Sequence, residues 1–157
     1  KEAAQSWLVL GHAHAGLGRW AEAAAAYRQA VEIGRELGAA TVEAQAGLGL
    51  AALCQGEVEQ ARAGAEEIMP LLTPEALQGM EDPFSLCWMC YQVLDGIGDP
   101  RAGDILQAAQ QVLQRRADRL GDEQARRLFL ESVPARREIA RALASREKRG
   151  GQPYGEP

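Results

Sequence analysis

Apolar residues in the N-terminal stretch fall at helical spacing. Trp7, Leu10, His14 and Leu17 sit at i, i+3, i+7 and i+10, one stripe of a helix, and predict its packing surface. Gly16-Leu17-Gly18-Arg19 breaks the run, and Ala23, Ala26, Tyr27, Ala30, Ile33 and Leu37 form the facing stripe of a second helix. The pattern then recurs. Leu48-Gly49, Gly56 and Ala61 each lie 38 residues after Leu10-Gly11, Gly18 and Ala23. A weaker copy has Gly98, Pro100 and Gly103, each 42 residues after Gly56, Val58 and Ala61. Matching offsets at small residues mark a repeat of antiparallel helix pairs. A helix-interior glycine costs about 1 kcal/mol relative to alanine. Gly11 and Gly49 are therefore expected where two helix axes approach closely.

The same logic predicts helices near 40–55, 57–70, 83–96 and 100–120. Asp82-Pro83 and Asp99-Pro100 each offer an N-cap followed by Pro at the first helical position. Residues 71–82 exceed an ordinary connection, and Thr73-Pro74-Glu75 predicts a single helical turn within them. After Gly121 come two helices, about 122–131 and 134–147, split by Ser132-Val133-Pro134. Residues 150–157 lack periodicity and read as a flexible tail. The expected organisation is all-α: a hairpin array over 1–120 (repeats about 3–37, 40–70 and 83–120), capping helices over 121–149, then the tail. Ala and Leu outnumber β-branched residues, which agrees with helix.

Composition narrows the setting. The chain has 157 residues, enough for one domain or one array of repeats, and a net charge of −5, which argues against general nucleic-acid binding. Three cysteines, an odd number, fit a reduced, cytosolic setting better than a disulfide scaffold. No apolar run reaches membrane-spanning length and no signal peptide is recognisable, so a cytoplasmic protein is expected. The chain opens already in helical pattern, and a segment of a longer protein is expected. Charge is uneven: residues 1–114 carry 6 Lys and Arg against 15 Asp and Glu, whereas residues 115–149 carry 11 against 6. Arg115, Arg116, Arg119, Arg126, Arg127, Arg136, Arg137 and Arg141 dominate that end. Interleaved acids and a lack of stacking aromatics favour solvated helix faces there over a phosphate or nucleic-acid surface.

Trp7, Leu10-Gly11, His14, Gly18, Trp20, Ala23, Tyr27 and Ala30 together resemble the signature of a tetratricopeptide repeat (TPR). His14 replaces the usual aromatic, and Arg35 stands where Pro often closes the motif. The second unit keeps Leu48, Gly49, Gly56 and Ala61. The third has Tyr91 at the close-contact position, so its two helices are expected to splay. The resemblance implies a right-handed superhelical stack (a TPR-like α-solenoid) of about three repeats plus C-terminal helices. Asp82-Pro83-Phe84, Cys90-Tyr91-Gln92-Val93-Leu94, Gly98-Asp99-Pro100-Arg101-Ala102 and Arg126-Arg127-Leu128-Phe129-Leu130-Glu131-Ser132-Val133-Pro134 also look like the ends of TPR arrays in large bacterial signalling proteins. In those, the array follows an NTPase of the STAND type, sometimes with a cyclase or a transcription domain. This chain has no G-x-x-x-x-G-K-[ST] itself.

The TPR resemblance implies a concave groove lined by the first helix of each unit. Its positions carry over to Gln5, Leu8 and His12, then Glu43, Ala46, Leu50 and Leu53, then Ser85, Trp88, Gln92 and Asp95. The face is mixed and mildly apolar, suited to a peptide or partner helix. Repeats that clamp C-terminal carboxylates use Lys and Asn here, and this chain has neither at these positions. Leu50, Leu53 and Trp88 have the alternative of packing against neighbouring helices. His12 and His14 are about 200° apart on a helix and cannot share one metal ion; His14 reads as a hydrogen-bonded core residue. Cys87 and Cys90 have C-x-x-C spacing but no further ligands nearby, and read, with Cys54, as buried apolar thiols. Glu66-Glu67 and Glu81-Asp82 read as solvated helix or cap residues. No nucleophile–base set stands out. The expected function is a non-catalytic interaction or sensor segment that needs no cofactor or metal. Its expected partner is a protein, a peptide or an upstream domain of the same chain. Structural capping with self-association through exposed repeat edges is the alternative, and nucleic-acid contact is disfavoured.

Overall fold

The computed structural model describes residues 2–37 and 41–150, with side chains through Arg146. The described residues form nine α-helices and one 3-10 turn, packed largely in chain order. Helices α1 (Glu2–Gly16) and α2 (Trp20–Glu36) form the first hairpin, and α3 (Val42–Cys54) and α4 (Val58–Ile68) the second. A 3-10 turn (Met69–Leu71) and the short α5 (Pro74–Gln78) lead to the third, α6 (Phe84–Gly96) and α7 (Ala102–Asp118). Helices α8 (Glu123–Glu131) and α9 (Pro134–Gly150) follow, with α9 packed across α6 and α7. Of the expected tail, Gly150 ends α9 and residues 151–157 lie outside the described residues.

The three hairpin turns are built alike. Gly18, Gly56 and Gly98 have φ of 71°, 82° and 71°, a left-handed conformation that glycine adopts without strain. The residue after each glycine donates its N–H back into the preceding helix: Arg19 to the His14 carbonyl (2.9 Å), Glu57 to Ala52 (2.9 Å), Asp99 to Leu94 (2.8 Å). This is a Schellman closure, and it recurs at the 38- and 42-residue offsets seen in the sequence. At the other expected starts a side-chain oxygen does accept a backbone N–H, but Pro83 and Pro100 do not take the first helical position: α6 begins at Phe84 with Pro83 as its N-cap, and α7 at Ala102 with Arg101 as its N-cap. The Thr73 hydroxyl accepts from Ala76 N (3.3 Å), Asp82 Oδ1 from Phe84 N (3.2 Å), Asp99 Oδ1 from Arg101 N (2.9 Å) and Asp122 Oδ2 from Ala125 N (2.8 Å).

Two hydrophobic clusters meet at α3. One lies between α1, α2 and α3 and is centred on Tyr27, whose side chain is 1% exposed. The other fills the space between α3, α4, α6, α7 and α9, around Leu77, Phe84, Leu94, Leu106, Leu113 and Ile139. The Tyr27 ring sits between glycines of two helices. A Cβ at Gly11 of α1 would lie 2.4 Å from the ring, and one at Gly47 of α3 would lie 2.5 Å from it. Both positions must therefore stay bare for the ring to be buried. Gly49 differs from expectation: a Cβ there meets only Ala61 O and Val93 at 3.8 Å, ordinary contact.

The packing stripe of α1 also differs from the expected one. Leu8 and Gly11 are buried and Ala4 and Ala15 half-buried, whereas Trp7, Leu10 and Leu17 are 37%, 40% and 69% exposed. The reason is the Tyr27 ring: α2 fits against the side of α1 with the smallest residues, not against the side with the most apolar ones. His14 is half-buried, but its Nδ1 is enclosed with no hydrogen-bond partner, so it is not the hydrogen-bonded core residue expected. Cys87 and Cys90 are buried, and burial pushes both thiols up to about 12. Cys54, in the last turn of α3, is exposed, against expectation. Tyr91 is buried and stacks with Trp88 (centroids 5.3 Å apart), and α6 and α7 still pack together.

A charged clamp ties the third turn to the second hairpin. The Arg101 guanidinium donates to Asp99 Oδ2 (2.7 Å) and to both carboxylate oxygens of Glu66 on α4. Glu66 thus holds a partner where a solvated residue was expected. Hydrogen bonds from the Arg101 side chain, then from its backbone N–H, hold the Asp99 carboxyl down at about 2.

Two expectations follow from this packing. Gly47→Ala should destabilise the chain by about 1–3 kcal/mol through overpacking against a ring that cannot retreat, whereas Gly49→Ala should be neutral or stabilise by up to about 1 kcal/mol. Urea unfolding of the two variants checks this, and equal destabilisation would show that Tyr27 is not trapped. Asp99 titrates lower folded than unfolded, so its contribution is complete above about pH 4 and is lost as pH falls toward 2. Arg101→Met should return the Asp99 carboxyl, followed by carbon NMR, toward the ordinary carboxylate range. An unmoved titration would dismiss the clamp.

Candidate functional site

Helix α1 packs on α3, and α3 on α6, so the first helices of the three hairpins stand in a row. The groove positions are distributed along it. Gln5 and Asp95 are exposed; His12, Glu43, Leu53, Ser85, Trp88 and Gln92 are half-buried. Leu8, Ala46 and Leu50 are buried and belong to the two clusters beneath the row. Leu53 lies against Gly96, where a Cβ would stand 2.6 Å from Leu53 Cδ2.

At one end of the row the site is knit by a three-helix hydrogen-bond chain. His12 Nδ1 is 2.9 Å from the Tyr27 hydroxyl and its Nε2 is 3.2 Å from Glu43 Oε1. A carboxylate only accepts, so Nε2 donates to Glu43. In the neutral ring, Nδ1 then accepts from the Tyr27 hydroxyl; this tautomer is assigned from the network. Burial, and then the Glu43 charge, push the Tyr27 hydroxyl up to about 12, so it remains a proton donor across the physiological range. His12 is thereby occupied on both nitrogens, while His14 lies on another face of α1. At the other end Asp95 is paired with Arg146 of α9 at 3.1 Å.

The arginine-rich end is mostly engaged in packing. Arg116 donates to the carbonyls of Met80 and Glu81, closing the segment after α5. Arg126 donates to the carbonyls of Ala117 and Leu120 at the end of α7. The Arg136 guanidinium lies over the rings of Phe84 (5.1 Å) and Phe129 (4.2 Å), donates to the Phe129 carbonyl (2.9 Å) and faces Asp82 at 3.6 Å. Arg115 and Arg141 also have side-chain partners, Gln78 and Glu138. Among the described residues Arg119, Arg127 and Arg137 have none. These bonds support the packing reading over a nucleic-acid surface.

A cleft that the repeat pattern does not flag lies on the opposite side of the first two hairpins. It has a volume of about 660 Å³ and lies between α2 and α4, with α3 as its floor. Val31, Leu48, Gly49, Ala63 and Gly64 line its base, and Arg28, Glu32, Arg35, Glu36 and Glu67 its rim. A Cβ at Gly64 meets only Gly49 Cα at 3.8 Å, so neither floor glycine is needed for the packing around it. Each nevertheless carries the roughly 1 kcal/mol cost of a helix-interior glycine. The available signal was the i, i+3, i+4, i+7 spacing of Gln60, Ala63, Gly64 and Glu67, a small-residue stripe between polar ends.

Comparison with known families matches residues 4–36 to the tetratricopeptide repeat family. Repeats of this kind generally mediate protein–protein contacts, and the match suggests a protein-interaction module. No curated protein and no solved structure matches the chain. No helix among the described residues is long and apolar enough to cross a membrane.

Tyr27→Phe keeps the ring wedged between the glycines and removes only the hydroxyl. It is expected to lower stability by about 1 kcal/mol, read as a fall in Tm. No change in Tm would show that the His12–Glu43 chain adds nothing to the joint.

Proposed function

We propose that this chain is a non-catalytic protein- or peptide-binding segment that works through the row formed by α1, α3 and α6. The observation that carries the reading is the row itself. It leaves Gln5, His12, Glu43, Leu53, Ser85, Trp88, Gln92 and Asp95 at least partly open above a floor of Leu8, Ala46 and Leu50. Such a mixture offers amide and carboxylate hydrogen bonds around an indole and a leucine, and suits a peptide or helix with both polar and apolar side chains. Asp95 is already paired with Arg146, so a basic ligand residue would compete with α9 for it. The resemblance of the last third to array ends in STAND-type proteins supports a sensor placed within a larger cytoplasmic signalling protein. There, a ligand contacting three successive hairpins would favour one relative arrangement of them over others, by its differential affinity for the two.

The test is selection of peptides from a randomised display library by the wild-type chain, compared with a Gln5→Arg/Gln92→Arg double variant. Both substitutions lie on the open surface of the row, so the fold should survive, and circular dichroism verifies that it does. Selected peptides should bind the variant roughly tenfold more weakly or worse. Equal binding would discard the row as the binding face.

A further inference from the structure

The cleft between α2 and α4 and the outer face of α8 fit one another, and we propose that they join two copies of this chain head to tail. The proposal goes beyond ligand binding by the row of first helices, because it uses the opposite side of the hairpins. The cleft has an apolar floor opened by Gly49 and Gly64, and charged rim residues without partners among the described residues. A bare floor admits another helix at close range.

Helix α8 supplies the matching surface. Its inner face carries Ala125, Arg126, Phe129 and Leu130, all half-buried, and no residue of α8 is fully buried. Its outer stripe is Gln124, Arg127, Leu128 and Glu131, all exposed, with Leu128 60% exposed. Arg127 and Glu131 have no ion pair or hydrogen bond among the described residues. The charge order decides the fit. Along α2 the rim reads Arg28 then Glu32, four residues on; along α8 the stripe reads Arg127 then Glu131, also four residues on. Laid antiparallel, Arg127 faces Glu32 and Glu131 faces Arg28, while Leu128 enters over Leu48 and the two glycines. The rim of α2 from Arg28 to Glu36 spans about 12 Å, and the α8 stripe about 10 Å, at 1.5 Å per residue. The two surfaces differ and lie far apart in the sequence, so each copy keeps one of each free after pairing. The association is therefore heterologous and grows into longer oligomers.

The experiment is light scattering of the full chain after size exclusion, over a wide range of concentration. Expected is a mass that rises with concentration in the wild type. Leu128→Glu, which charges the knob, and Gly64→Leu, which fills the cleft, should each shift the rise to roughly tenfold higher concentration or abolish it. Glu131→Arg should do the same, and Arg28→Glu combined with Glu131→Arg should restore association. A wild type that stays monomeric throughout overturns the proposal. So does a mass profile unmoved by Leu128→Glu and Gly64→Leu, or one lost only on Trp7→Ser/Leu10→Ser, which would place self-association on α1. The peptide-selection result for the row of first helices is independent of each of these outcomes.

Discussion

Tyr27 holds the first half of the structure in register. Its ring is inserted between two bare backbone positions, Gly11 of α1 and Gly47 of α3, and its hydroxyl ends in the His12–Glu43 chain. One side chain thus fixes how α1, α2 and α3 meet. The consequences reach outward. Because α2 must approach α1 at Gly11, the Leu8 side of α1 turns inward and the Trp7 side turns out. Because α3 must approach at Gly47, its first turns come beside α1 and the row of first helices is established. Close packing makes such a wedge intolerant of even one methyl group.

The second half depends on different devices. There the interior is aliphatic and aromatic, and arginine does the joining. Arg101 ties the α6–α7 turn to α4, Arg116 closes the segment after α5, and Arg136 lies between Phe84 and Phe129. The flat guanidinium suits this work: it stacks on a ring with its face and bonds carbonyl groups at its edge. Part of the excess positive charge at the C-terminal end is therefore engaged in packing, while Arg119, Arg127 and Arg137 stay exposed without a side-chain partner among the described residues.

Much of the fold was legible in the sequence, for reasons that can be located. Gly18, Gly56 and Gly98 announced the turns because a left-handed backbone leaves little choice of residue. Thr73, Asp82 and Asp99 announced nearby helix starts because a capping oxygen must lie near the first free N–H groups, although α6 and α7 begin one or two residues later, with Pro83 and Arg101 as their N-caps. What could not be read was which apolar side faces inward. Trp7, Leu10 and Leu17 carry more hydrophobic surface than Ala4, Leu8, Gly11 and Ala15, yet the smaller set is the packed one, because the partner is a bulky ring on another helix. Gly47 escaped for the same reason: its repeat equivalents are Val9 and Met89, so no pattern flags it. Of the positions that the TPR resemblance implies for a groove, His12 and Glu43 do meet. The resemblance gave no sign that Leu8, Ala46 and Leu50 lie beneath the surface, since depth depends on how closely neighbouring helices sit.

The two clusters of the interior are joined through α3 and through Trp20 of α2, which packs against the larger one, and this has a mechanical consequence. A load applied to the first hairpin passes to the rest through the thirteen-residue helix Val42–Cys54 and through the Trp20 contact. Because Tyr27 locks the first hairpin to α3, those three helices respond together, and a bending load falls on the contacts that α3 and Trp20 make with the larger cluster.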